Sequence, residues 1–215
     1  MKLTYLNVLN DKQINNMYLT IDRNNRYAVS HGKIHIENVT NHAKEIAEAV
    51  SLTSEETRLL LIAGALHDIG RYFSNKGHNI AGLDFIKDYL SDKLTINEID
   101  IVCNAIVSHD IKCAKFNEMN NIDYCLILAD KLDYEKSRLI EEYLDDNPHF
   151  NLYKNNKRIS VQVENGIFKV TFEVSDLNEK QQNVELVEDI SEILNNFVKH
   201  FNLSGWTYEI IKGET

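Results

Sequence analysis

The chain contains one proline, three cysteines and eight glycines in 215 residues, and it has no long apolar run and no basic cluster. Each scarcity excludes a class of protein. So little proline and glycine rules out collagen-like or low-complexity sequence. Cys103, Cys113 and Cys125 are odd in number and lack a Cys-x-x-Cys spacing, which argues against a disulfide framework and against a thiolate zinc site. A reducing cytoplasm is the expected location. No stretch approaches the roughly 20 apolar residues of a membrane span. The start, Met1-Lys2-Leu3-Thr4-Tyr5, lacks the apolar core and small-residue cleavage site of a leader. With 23 basic against 33 acidic side chains, the net charge of −10 would repel a duplex nucleic acid. A small phosphorylated ligand stays compatible, because a bound divalent cation reverses the sign of an acidic pocket.

What is present points to helices. The chain is 43% hydrophobic and 26% charged, enough apolar material for one ordinary domain with an appendage. From Ile36, residues Val39, Ala43, Ile46, Ala47 and Val50 recur at helical spacing, and His35 lies one turn before Val39 on that face. Thr53 and Glu56 form a capping box ahead of Leu59 to Leu66, a run apolar on all sides and therefore central. After a polar break at Ser74 to Gly77, one helix is expected with His78 near its start and Ala81, Phe85, Ile86 and Leu90 along it. Thr95 and Glu98 open another, whose stripe of Ile99, Val102, Cys103 and Ile106 leads to His109. A last apolar run, Ile122 to Leu132, carries Asp130. Residues 1–148, ending at the only proline, thus read as an all-helical domain of five or more helices.

Beyond Pro148 the period changes to two. Ile159, Val161 and Val163 alternate with polar residues, as do Phe168, Val170, Phe172 and Val174, and Asn165-Gly166 between them matches a type I′ hairpin turn. That loop would pair Val163 with Phe168, Val161 with Val170 and Ile159 with Phe172, gathering the large apolar residues on one face. An amphipathic helix through Val187, Ile190, Ile193, Leu194, Phe197, Val198 and Phe201 follows, and Trp206, Tyr208 and Ile210 suggest a strand. Residues 149–215 are expected to be a β-β-α-β appendage, its apolar face covered by its helix, the main domain or a second subunit in a homodimer.

His67 and Asp68 are adjacent at the end of the most apolar helix. A buried carboxylate is costly unless it is paired or bound to a cation, and a metal also gives a neutral imidazole a reason to be there. His35 and Asp130, on inward faces of other helices, complete a set of two imidazoles and two carboxylates. Such donors suit Mn, Fe, Co, Ni or Zn. In His35-Ile36-Glu37-Asn38-Val39, Leu66-His67-Asp68-Ile69-Gly70-Arg71 and Leu128-Ala129-Asp130-Lys131-Leu132-Asp133, the chain resembles the HD superfamily of metal-dependent phosphohydrolases over roughly residues 30 to 135.

The resemblance implies an all-helical fold, one or two divalent transition-metal ions held by His35, His67, Asp68 and Asp130, and hydrolysis of a phosphate ester or anhydride of a nucleotide or other small metabolite. Relatives with two ions use further histidines; His78 and His109 stand where those are found, with Asp68 as the bridge. His109-Asp110 replaces the paired histidines of the cyclic-dinucleotide branch, which makes that substrate a poor first choice. Arg71 is the candidate for gripping phosphoryl oxygens, and Asp133 for orienting a ligand or acting as a base. Plainer readings stand beside these: His109 and Arg71 as helix-end charges and His78 as a cap. His31, His42, His149 and His200 are read as packing or surface residues. An HD-like iron oxygenase and a non-catalytic regulatory module are the alternative functions.

Overall fold

The computed structural model describes residues 2–24, 28–143 and 149–213, without the side chain of His149. Among the described residues eight α-helices come first: α1 (Tyr5–Leu9), α2 (Lys12–Asn24), α3 (Lys33–Ala49), α4 (Ser54–Leu66), α5 (His78–Ala81), α6 (Leu83–Leu90), α7 (Ile96–Ser108) and α8 (Asn121–Lys131). After them come α9 (His149–Asn155), β1 (Asn156–Glu164), β2 (Ile167–Val174), α10 (Gln181–His200) and β3 (Gly205–Lys212). Among the described residues no helix is long and apolar enough to cross a membrane.

Capping boxes start the helices where the sequence places them. Thr53 and Thr95 accept from the backbone N–H groups of Glu56 and Glu98, whose carboxylates reach back. Asn120 and Asp123 open α8 in the same way. Every residue of α4 from Leu59 to Leu66 is buried, and the helix packs against α3, α7 and α8. Burying each such Leu or Ile contributes roughly 1.5–3 kcal/mol, so the end of α4, where His67 and Asp68 sit, is held by the strongest part of the core.

Two features depart from the periodicity argument. Helices α1 and α2 precede the first helix it identifies; Asp11 Oδ1 accepts from the N–H groups of Gln13 and Ile14, and Ile14, Met17, Tyr18 and Ile21 are buried. The helix expected through His78 to Leu90 is instead two, α5 and α6, divided at Gly82. A Cβ on Gly82 would stand 2.9 Å from Gly70 Cα, and one on Gly70 would stand 1.8 Å from the carbonyl oxygen of His78. The chain turns there because the two glycines let backbones touch.

The tail has the expected pairing. β1 and β2 are antiparallel with Val163 opposite Phe168, Val161 opposite Val170 and Ile159 opposite Phe172, and Asn165 and Gly166 both have positive φ, 52° and 78°. β3 lies parallel to β2, reached through α10. Phe168, Val170 and Phe172 are fully buried, and the Phe168 ring lies 4.9 Å from that of Phe197 on α10. The covering is supplied by the same chain. β1 packs on α3, with Arg158 paired to Glu45 at 2.9 Å, and the N–H of Ile159 donates to Glu135 Oε1. His200 of α10 stacks on Tyr124 at 4.2 Å and bonds Asn121 at 2.8 Å, which ties α10 to α8. The expected boundary at Pro148 lies outside the described residues, and both parts contribute to one continuous core.

Candidate metal centre

His67 is the C-cap of α4, and Asp68 begins a 3₁₀ turn over Ile69–Tyr72. α3 supplies His35, α8 supplies Asp130, α5 supplies His78, and His109 caps the end of α7. Five separate segments therefore converge. His35 Nε2 lies 3.2 Å from His67 Nε2 and 3.4 Å from Asp130 Oδ1, with Asp68 Oδ2 at 3.6 Å. His78 Nε2 lies 3.0 Å from His109 Nε2 and 3.1 Å from Asp68 Oδ1, and His109 Nε2 is 3.7 Å from that oxygen. Asp68 thus turns one oxygen to each nitrogen pair.

Tautomers decide what these contacts mean. His67 Nδ1 is 2.9 Å from the carbonyl of Gly64, His109 Nδ1 is 2.6 Å from that of Ile106, and His35 Nδ1 is 2.5 Å from Asp133 Oδ2. Each acceptor draws the ring proton to Nδ1, leaving an Nε2 lone pair on the convergent side. Neutral lone pairs at such separations repel one another unless a proton or a metal ion stands between them. Two ligands about 2.1 Å from one ion stand about 3.0–3.4 Å apart at ordinary coordination angles. Asp68 Oδ1, moreover, is buried without a hydrogen-bond partner. The donor set fits a divalent cation on each side of Asp68.

Three groups among the described residues could hold a metal ion: His35, His67 and Asp130; His67, Asp68 and His109; and His31, His35 and Asp68. The third includes a residue that sequence reasoning assigned to packing. His31 Nδ1 stands 3.0 Å from Asp68 Oδ2. It sits in the loop before α3, where helical periodicity says nothing about direction; its position four residues ahead of His35 was the only hint. His42 is buried 3.7 Å from Glu135 and His200 is stacked on Tyr124, in keeping with packing roles.

Cations surround the acids. Arg71 Nε donates to Asp68 Oδ2 at 2.7 Å, and another of its nitrogens lies 3.4 Å from His78 Nε2. Lys131, also missed in the sequence, pairs with Asp130 Oδ2 at 2.7 Å. Buried Arg138 donates to the carbonyls of Ser30 and Asp133, and one of its nitrogens lies 3.3 Å from His31 Nδ1. Asp133 does not face the nitrogen pairs; its oxygens are taken by His35 and by Asn38 at 2.9 Å.

Charge states follow. Burial alone would raise the Asp68 carboxyl, but Arg71, His67, the bond from His31 and the nearby His78 imidazole outweigh it and hold it well below the usual range. Lys131, His35 and His67 do the same for Asp130. Burial pushes the imidazole of His67 down to about 3 and that of His31 to about 4, and lowers His109. His35 goes the other way: burial and Arg138 push it down, but Asp130 and Asp133 prevail and raise it. Ionised carboxylates beside mostly neutral imidazoles are the state that binds a metal. Cys103, Cys113 and Cys125 belong to none of the three groups.

Two tight backbone arrangements place His78. Gly70, two residues after Asp68, admits the His78 carbonyl where any side chain would collide. Asn79, buried, donates from Nδ2 to the carbonyl of Val107 and so fixes α5 to the end of α7 that carries His109.

Residues 33–135 match the family model of the HD domain. The match identifies this segment as an HD domain, a type whose members are generally metal-dependent phosphohydrolases. No curated protein matches the chain.

Proposed function

We propose that the protein is a metal-dependent phosphohydrolase acting on a phosphate ester or anhydride of a nucleotide or other small metabolite. The observation that carries this reading is Asp68, whose two oxygens face two separate nitrogen pairs, His35 with His67 and His78 with His109. His35, His67 and Asp130 would hold one ion, His78 and His109 a second, and Asp68 both.

When bound, Mn, Fe, Co, Ni or Zn would supply a Lewis acid that lowers the pKa of water towards about 7, the chemistry that makes hydroxide available for hydrolysis at a phosphorus. The chain's own residues do the rest. Arg71, fixed through Nε to Asp68, keeps further N–H donors in its fork for phosphoryl oxygens, and a planar guanidinium matches that geometry. Lys131, partly exposed and paired with Asp130, adds a second positive charge beside the acids. Asp133 holds the His35 proton on Nδ1 and acts as a positioning residue rather than a base, since both its oxygens are engaged. The three free thiols suit a reducing compartment.

The test is phosphate release from a panel of nucleotides and sugar phosphates, with each metal supplied in turn, by wild type and Asp68→Ala. Turnover that needs a transition metal and is lost in a folded Asp68→Ala supports the proposal. Oxygen-dependent turnover without phosphate release would point to an iron oxygenase instead, and metal binding with no turnover of any kind to a regulatory module.

A further inference from the structure

α2, the turn that follows Asp68 and α6 border an open cavity of about 580 Å³, within the range of small-molecule sites. Its lining combines two kinds of chemistry. Tyr72, Phe73 and Phe85 provide rings, while Lys12, Gln13, Asn16 and Thr20 provide donors and acceptors, over a floor that includes Met17. The polar residues recur along one face of α2. Tyr72 and Phe73 are 47% and 50% exposed, although they sit in the loop that the metal centre anchors. Their rings lie 5.3 Å apart edge to face, and Phe73 continues to Phe85 at 6.0 Å. Nothing in the phosphoryl chemistry uses them.

Both walls lead to the centre. Tyr72 follows Arg71 directly and is four residues from Asp68, about 8 Å at the rise of a 3₁₀ helix. Thr20 lies two residues before Asp22, whose Oδ1 accepts from Ser30 Oγ and from the N–H of Gly32, bracketing His31. A pentose would bridge a phosphate held at Arg71 and a planar ring among these aromatics.

We infer that this cavity receives the heteroaromatic base of the substrate, with Tyr72 and Phe73 supplying the stacking surface and Gln13 and Asn16 bonding the base edge. The inference rests on the phosphohydrolase reading for the choice of a nucleotide over a free nucleoside, but the pocket itself can be probed separately. Stacking on an aromatic ring tolerates any base because every base has a π-face, whereas amide side chains can distinguish the bases by their donor and acceptor patterns.

The experiment has two arms. In the first, calorimetry follows adenosine, guanosine, cytidine, uridine and thymidine binding to chelator-treated wild type, Phe73→Ala and Asn16→Ala. At least one nucleoside is expected to bind wild type, about tenfold or more weakly to Phe73→Ala, with its preference over other bases altered in Asn16→Ala. In the second, the metal-loaded proteins are compared on that nucleoside's 5′-phosphate and on glycerol phosphate. The ratio of kcat/KM for nucleotide over glycerol phosphate is expected to fall about tenfold in Phe73→Ala, mostly through KM. Absence of nucleoside binding at millimolar concentration, or affinities unchanged in both variants, overturns the inference even if phosphate is released. Nucleoside binding that responds to both variants without turnover of either phosphate upholds the pocket and removes the phosphohydrolase reading.

Discussion

His35 Nδ1 and Asp133 Oδ2 stand 2.5 Å apart in a fully buried contact that joins α3 to the turn after α8. The pair is held on its far side by Asn38 and Arg138, so the imidazole has one orientation and one tautomer. Removing the charge of Asp133 while keeping its shape should loosen both. Asp133→Asn is expected to weaken divalent-metal affinity about 10- to 100-fold, measured by competition with a chromogenic chelator. An affinity equal to wild type would mean that the contact merely packs.

The imidazoles make the metal-free protein sensitive to acid. His31 and His67 have folded pKa values near 4 and 3, below the usual 6.5, and burial lowers His42 and His109 as well. Between those values and 6.5 the unfolded chain binds protons that the folded chain refuses, so stability falls as pH falls. Each such group contributes a slope of about 1.4 kcal/mol per pH unit. His35 opposes the trend, since its raised pKa favours the folded state at low pH, but it is one imidazole against five, His200 being lowered by burial as well. Urea midpoints of chelator-treated protein should therefore drop from about pH 7 to about pH 5, by an amount equivalent to roughly 2–4 kcal/mol. A midpoint that stays level or rises over that interval would show that these imidazoles are protonated in the fold.

Which parts of this were legible in the sequence depends on the range of the interactions concerned. The hairpin register was readable because Asn165-Gly166 fixes a two-residue turn and the alternation on both sides agrees with it. His35 and Asp130 were readable because each falls on a periodic apolar face, and His67 and Asp68 because a polar pair ends the most apolar helix, the resemblance to HD proteins joining the four. α2 has the same kind of signal in Asp11, Ile14, Met17, Tyr18 and Ile21, diluted by asparagines of low helix propensity. The break at Gly82 was not readable, because it depends on Gly70, twelve positions earlier, which approaches only in the folded chain. His31 and Lys131 depend likewise on where a loop and a helix end come to rest beside acids from other segments.

That dependence gives Gly70 a measurable role. A methyl group there would overlap the His78 carbonyl, which is backbone and cannot rotate away. Gly70→Ala must push α5 from the turn, carrying His78 away from Asp68 and His109. The expected cost is about 1–3 kcal/mol of stability, typical of overpacking, together with selective loss of whatever binds at the His78 side. Thermal melts and metal analysis of the purified variant would check both; an unchanged melting temperature would mean that the crossing is looser than the distances indicate.

Asp68 offers the last and most direct prediction, because its two oxygens serve different partners. If each nitrogen pair holds one ion, wild type should carry two divalent ions per chain after gel filtration, and His78→Ala or His109→Ala about one, since His35, His67 and Asp130 remain. Asp68→Ala should lose affinity on both sides at once, beyond what either histidine substitution costs alone. Elemental analysis of protein loaded with Mn or Zn and then desalted distinguishes the cases. One ion in wild type, retained in His78→Ala and His109→Ala, would assign the metal to the His35 side alone and leave His78 and His109 to bind the substrate or to pack. Loss of that single ion in both histidine variants would place the metal between Asp68, His78 and His109.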